Sequence, residues 1–280
     1  MIQNTPLSLA YSTCPNDTFL FHALTCGMID RRGLSYTVTL DDVESLNQKA
    51  LKATYDISKL SFAAIGNLQE SYGLLRSGAA LGRGCGPLVV ARKGQDLRRL
   101  SHGKIAVPGL QTTANLLLGL YLDQKPQIVP MVFDQIMPAV SRGECDFGVI
   151  IHEGRFTYPS YGLEQVVDLG AWWESETKLP IPLGGIAVRR DLPEATIRTV
   201  EASIEESVRF GFQNPGLSEN YIKAHAQELE DHVIRQHIEL YVNDFTVCLG
   251  DEGENAIGHF FDLARQKGLM KSSEKPLFAC

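Results

Sequence analysis

Between residues 7 and 151 short apolar runs alternate with longer amphipathic ones, and this alternation restricts the fold more than any other feature. Runs at 7–11, 36–40, 87–91, 104–107, 128–133 and 147–151 predict strands. Segments at 17–26, 43–53, 113–122 and 134–142 predict helices between them. Strand–helix–strand units place their strands in parallel, so the class is α/β with a mainly parallel sheet. Beyond Leu192 the rhythm changes. Pro193 opens a long helix at 194–213, and helices at 217–226, 230–242 and 252–267 follow.

Two strings echo each other. Gly86-Pro87-Leu88-Val89-Val90-Ala91-Arg92 and Gly184-Gly185-Ile186-Ala187-Val188-Arg189-Arg190 both begin at glycine, run apolar and end basic, and an Asp-Leu pair follows each. They read either as two ordinary strands of similar composition or as a pair of hinge strands. On the hinge reading the chain leaves a first lobe through one strand and returns through the other. The expected domains are then a discontinuous larger lobe, 1–91 with 185–280, and a smaller α/β lobe inserted at 92–184. A chain of 280 residues suits two units of ordinary size.

Charge and targeting narrow the function classes. Lys and Arg total 26 against 33 Asp and Glu, a formal net charge of −7 without a dense basic block. Neither a nucleic-acid nor a membrane partner is expected of such a surface. Residues 1–10 hold no basic cluster followed by an apolar stretch, and no apolar run approaches the roughly 20 residues that span a bilayer. The six cysteines are scattered without Cys-x-x-Cys spacing, which in a chain with no export signal reads as reduced thiols and a cytoplasmic setting.

In open parallel sheets ligands bind beyond the carboxyl ends of strands, so the residues there are the candidate site. Four strand ends carry small polar or ionisable groups. After 7–11 come Ser12, Thr13, Cys14, Pro15, Asn16 and Asp17, where Pro15 sets a turn and Asn16 or Asp17 caps the next helix. After a strand at 55–57 come Ser58, Lys59, Leu60 and Ser61, and after 104–107 the chain reaches Thr112, Thr113, Ala114 and Asn115. A helix start at Thr112-Thr113 suits an anion, with Lys59 as the matching cation; plain capping and a surface lysine are the alternatives. After 147–151 comes His152, a base at working pH if it faces the cleft and a structural residue otherwise. His225, His232 and His237 lie on predicted helices without metal-ligand spacing. No phosphate loop, dinucleotide fingerprint or nucleophile elbow is present, and no cysteine has the local signature of a nucleophile. Trp172-Trp173 and the Tyr158 and Tyr161 pair suit either an aromatic-substrate pocket or the core.

Longer strings carry a resemblance. Ser12-Thr13-Cys14-Pro15-Asn16-Asp17-Thr18-Phe19, Ser58-Lys59-Leu60-Ser61-Phe62-Ala63-Ala64 and Ile150-Ile151-His152-Glu153-Gly154-Arg155 resemble the 1,4-dihydroxy-6-naphthoate synthase family of the futalosine route to menaquinone. Residues 42–47, 81–89, 167–173 and 224–229 and the Pro276-Leu277-Phe278 ending extend it over nearly the whole chain. The resemblance implies a two-lobed periplasmic-binding-protein-like fold (type II) with a substrate cleft between lobes. It implies a carbon–carbon lyase that converts cyclic dehypoxanthinyl futalosine, an anionic small molecule, to 1,4-dihydroxy-6-naphthoate and a three-carbon sugar fragment, in menaquinone biosynthesis. No metal or organic cofactor is implied. His152 takes the role of catalytic base. Lys59, Leu60, Ser61, Thr113 and Ala114 take substrate contacts, and Asn16 and Asp17 complete the expected set. Asn115 departs from the larger or apolar residue expected beside them. The rivals are a chorismate dehydratase of the same pathway and a non-catalytic small-molecule-binding protein of the same fold.

Overall fold

The structure, a computed structural model, describes residues 5–226 and 230–280. The string 224–229 therefore lies partly outside the described residues. In chain order the strands are β1 (Leu7–Ser12), β2 (Tyr36–Asp41), β3 (Ile57–Ser61), β4 (Tyr72–Leu74), β5 (Ala80–Gly82) and β6 (Leu88–Arg92). They continue as β7 (Lys104–Val107), β8 (Gln127–Pro130), β9 (Phe147–Ile150), β10 (Leu163–Asp168) and β11 (Ile181–Arg189). The helices are α1 (Pro15–Thr25), α2 (Val43–Ala50), α3 (Phe62–Asn67), α4 (Thr113–Tyr121), α5 (Phe133–Ser141) and α6 (Gly154–Thr157). After them come α7 (Leu169–Thr177), α8 (Glu194–Gln213), α9 (Glu219–His225), α10 (Asp231–Tyr241), α11 (Asp244–Val247) and α12 (Gly250–Gln266).

The strands form two sheets. The first runs β2-β1-β3-β11-β4 with β5 also beside β11, and the second runs β10-β6-β9-β7-β8. A mainly parallel sheet is not what forms. Pairing is parallel only where helices cross over, at β1 with β2 and β3 and at β7 with β8 and β9. Strands β6, β10 and β11 run against their neighbours. The chain passes between sheets through these segments, so they enter without a same-sheet crossover helix to set them parallel.

The two similar strings thus lie in different sheets: Leu88–Arg92 in the second, Ile181–Arg189 in the first. The crossings are tight. A Cβ on Gly86 would come within 2.3 Å of the Gly170 backbone, which only two facing glycines allow. Beside them Arg155 donates to Gly86 O, to Gly84 O at 3.1 Å and to the Asp168 carboxylate at 3.0 Å.

Central strands β3 and β9 are buried throughout; for β9 this follows from its apolar composition, whereas β3 takes Ser58, Lys59 and Ser61 inside with it. Helix α8 buries Ile197, Val200, Ile204, Ser207, Val208 and Gly211, a spacing of three and four that makes one face. That face packs on α1: Ser207 Oγ accepts from Leu24 N at 3.1 Å, and Gly211 lets Phe19 approach. Helix α1 is accordingly enclosed along nearly its whole length, polar residues included. That burial places Asn16 and Asp17 away from water.

Candidate active site

A cavity of about 90 Å³ opens between the carboxyl ends of β1, β3 and β9 and the start of α4. His152, Lys59, Leu60, Ser61, Thr113, Ala114, Asn16 and Asp17 all line it, together with apolar residues such as Val43, Ile151 and Leu183. The cavity gathers all eight residues that the resemblance implied, whereas Asn115, Tyr158, Tyr161, Trp172 and Trp173 lie outside it.

The charge arrangement differs from the expected free cation. Strand β3 extends to Ser61, past the expected end at residue 57, so Lys59 is a mid-strand residue rather than a loop residue. Side chains alternate along a strand, which turns Lys59 and Ser61 to the same side. Lys59 Nζ lies 2.8 Å from Asp17 Oδ1, with the two side chains 6% and 3% exposed. The ammonium also donates to Gly78 O at 3.2 Å. Asp17 accepts from Ser12 Oγ at 2.6 Å and from Asn16 Nδ2 at 2.8 Å. Both charges are thus answered inside the protein, as burial demands.

At the start of α4 the capping reading holds for Thr112. Its hydroxyl accepts from Asn115 N at 3.3 Å and donates to Gly109 O at 2.7 Å. Thr113 Oγ1 donates to Leu183 O at 2.7 Å and accepts from Ala63 N at 3.3 Å. Neither hydroxyl has a proton left for a ligand. The attraction for an anion falls instead to the Thr113 and Ala114 N–H groups, which have no acceptor within a helix at its first turn, and to the dipole behind them. Ser61 is held from the side: Asn47 Nδ2 donates to Ser61 Oγ, and Ser61 N donates to Asn47 Oδ1, each at 3.0 Å. Ser61 keeps its hydroxyl proton for a ligand. Asn115 turns away to donate to Leu110 O at 3.1 Å.

His152 follows β9 with φ of 55°, a left-handed backbone in a residue with a side chain. Strain of this kind persists where surrounding contacts hold it, and it concentrates at functional positions. Its Nδ1 lies 3.1 Å from Cys14 Sγ and Nε2 3.8 Å from it. Its ring stacks on His237, with Phe133 tilted against it at 5.4 Å. Burial lowers the His152 pKa below the ordinary histidine value, with Glu153 and Asp17 opposing the shift. Burial, with the charges of Glu153 and Asp17, pushes the Cys14 thiol well up. The two groups therefore stay a neutral thiol and a neutral imidazole. A cysteine nucleophile needs its thiolate, and both shifts run against a thiolate–imidazolium pair here.

Sequence reasoning does not find Asn47 behind Ser61, Tyr241 on the cavity wall or His237 against His152, and it gives Ser12 and Cys14 a strand-end position without a role. Ser12 and Cys14 do lie in the 12–19 string. His237 was set aside for want of metal spacing, and nothing local marks a helical residue that meets a strand end 85 positions away. Among the described residues no cluster of three His, Cys, Asp or Glu is grouped to hold a metal ion. No helix among them is long and apolar enough to cross a membrane.

A family model described as menaquinone biosynthesis matches residues 7–266. A Thermus thermophilus protein named 1,4-dihydroxy-6-naphthoate synthase is 48% identical over 272 residues, 97% of this chain and 98% of that protein. A Streptomyces coelicolor protein of the same name is 43% identical over 270 residues, 94% of each chain. The crystal structure of an Archaeoglobus fulgidus protein matches with a TM-score of 0.89 at 36% identity, covering 96% of this chain and all of that one (100%). A Candida albicans protein described as exhibiting the generic periplasmic binding protein structural fold matches with a TM-score of 0.68 over 96% of this chain and 92% of that one. Its identity is 14%, so that likeness concerns the fold alone. The expected α/β, binding-protein-like architecture is the one observed.

Proposed function

This chain belongs to the menaquinone biosynthesis family, and from that premise we propose that it is a 1,4-dihydroxy-6-naphthoate synthase acting as a carbon–carbon lyase. Its substrate on this reading is cyclic dehypoxanthinyl futalosine. The observation that carries the proposal is a half-buried His152, its pKa lowered by desolvation, at the wall of a cavity whose other walls are apolar or hydrogen-bonding.

His152 is the base. With Nδ1 on the Cys14 side, Nε2 is the nitrogen left for substrate. It takes the proton of a sugar hydroxyl, and the alkoxide electron pair becomes a carbonyl bond. The adjacent carbon–carbon bond breaks in a retro-aldol sense, and its pair passes to the ring that becomes the naphthoate. Aromatisation supplies the driving force, and the three-carbon fragment leaves. The Thr113 and Ala114 N–H groups and the Ser61 hydroxyl hold the substrate carboxylate or sugar oxygens. Lys59 and Asp17, already paired, act as a fixed dipole at the cavity wall. Leu60 and its apolar neighbours lie along the bicyclic ring, and Asn16 orients Asp17.

At about 90 Å³ the cavity is well below the roughly 300–1,000 Å³ of ligand pockets, so we take this as a closed arrangement. The lobes, near residues 92–184 and the remainder of the chain, part to admit substrate and close to exclude water from the intermediate. The test is incubation of purified protein with cyclic dehypoxanthinyl futalosine, followed by chromatography and mass detection of the naphthoate. Product from wild type and none from His152→Ala supports the reading. Turnover of chorismate instead, or tight binding without product, would replace it with one of the rival functions.

A further inference from the structure

His237 does not line the cavity, yet its imidazole stacks on that of His152, the ring planes 3° from parallel and the centroids 5.9 Å apart. It sits on α10 and is 1% exposed. Its protonation follows from its neighbours. Asp17 is an acceptor, so Asn16 turns Nδ2 to it at 2.8 Å. Asn16 Oδ1 then faces His237 Nε2 at 2.9 Å, and that nitrogen must carry the hydrogen. In a neutral imidazole the lone pair is left on Nδ1, which is buried without a partner among the described residues. A phenylalanine or leucine here would avoid stranding that atom. The histidine supplies a donor for Asn16 Oδ1 and a flat face toward His152.

We propose that His237 is a positioning residue: anchored by Asn16, its ring is the platform that holds the His152 imidazole in its working orientation. The role rests on the reading of His152 as the base. The two rings reach each other from different parts of the fold. His152 follows β9 of the second sheet, whereas α10 packs on α1, beside the first. The lobe that carries Asn16, Asp17 and Lys59 thereby orients a base carried by the other lobe, and stacked offset rings suit that task. The remaining groups that face His152 are Cys14 from the β1–α1 turn, Asp17 from α1, Lys59 from β3, Glu153 beside it and Phe133 from α5. His237 covers one face of the ring.

The test uses His237→Ala and His237→Phe in the full chain, with the His152 ring titration followed by NMR and kcat and KM measured in parallel. In the Ala variant the His152 titration moves up toward the ordinary histidine range, and kcat falls roughly ten- to hundredfold with little change in KM, as expected for a misoriented base. The Phe variant restores an aromatic face and returns the titration to its wild-type position. An Ala variant that titrates and turns over like wild type overturns the proposal. So does a Phe variant displaced as far as the Ala one. If the Ala variant does not fold, His237→Gln, which keeps a donor for Asn16 and removes the ring, carries the same expectation. The titration needs no turnover, so a wild-type protein without synthase activity would refute the function while the role of His237 is still decided.

Discussion

The Lys59–Asp17 pair provides a quantitative test of how this site is built. Removing one partner of a buried pair costs about 3–5 kcal/mol, because the survivor is left as an unanswered charge. The local bonding ranks the two variants. After Lys59→Met, Asp17 keeps the Ser12 hydroxyl at 2.6 Å and the Asn16 amide at 2.8 Å. After Asp17→Asn, Lys59 keeps only the Gly78 carbonyl at 3.2 Å and a neutral amide oxygen. Asp17→Asn is therefore expected near the upper end of the range and Lys59→Met near the lower. The double variant leaves no charge, so it should cost less than the sum by about 2–3 kcal/mol of coupling. In a chain of 280 residues about 3–5 kcal/mol lowers Tm by roughly 5–9 °C. Urea unfolding followed by circular dichroism gives the free energies, with an unchanged slope as the control for two-state behaviour. Single variants that each lose under about 1 kcal/mol, the ordinary worth of an exposed pair, would show that water reaches the pair and refute the reasoning.

Other consequences follow from the same geometry. Because His152 holds φ of 55°, His152→Gly should be more stable than His152→Ala by about 1 kcal/mol although both are inactive; equal urea midpoints would contradict the strain. Burial lowers His152 and His237, so the unfolded chain binds protons near pH 6.5 that the folded chain refuses. Stability should therefore be level above that value and fall as pH drops below it, and a rise in unfolding free energy from pH 7 to 5.5 would reverse the sign. Gly86→Ala must push a methyl group into the Gly170 backbone, and a loss of about 1–3 kcal/mol is expected from thermal melts; an unchanged Tm would mean that the crossing yields.

Much of this could be read along the chain. The strand at Lys104–Val107 and the helix at Glu194–Gln213 were legible residue for residue, because each is a local hydrophobic pattern with a clear start. Strands β4, β5 and β10 were not, since they are short or partly exposed and owe their state to β11 and β6 beside them. The extension of β3 through Lys59 was missed for a similar reason. A lysine inside a strand reads as a breaker until a carboxylate is found to neutralise it.

The sequence by itself determined the α/β class and marked the strand ends that carry His152, Lys59, Ser61 and Thr113 as the groups to examine. Those conclusions rest on period, capping and composition, which act over a few residues. Only the tertiary structure decided what each group can do. Lys59 is paired with Asp17, the Thr113 hydroxyl is spent on Leu183 O, and His152 meets Cys14 and His237. The protonation state and free hydrogen bonds of a side chain depend on what surrounds it in space, and those neighbours come from β1, α1, α10 and β11, far apart in the chain.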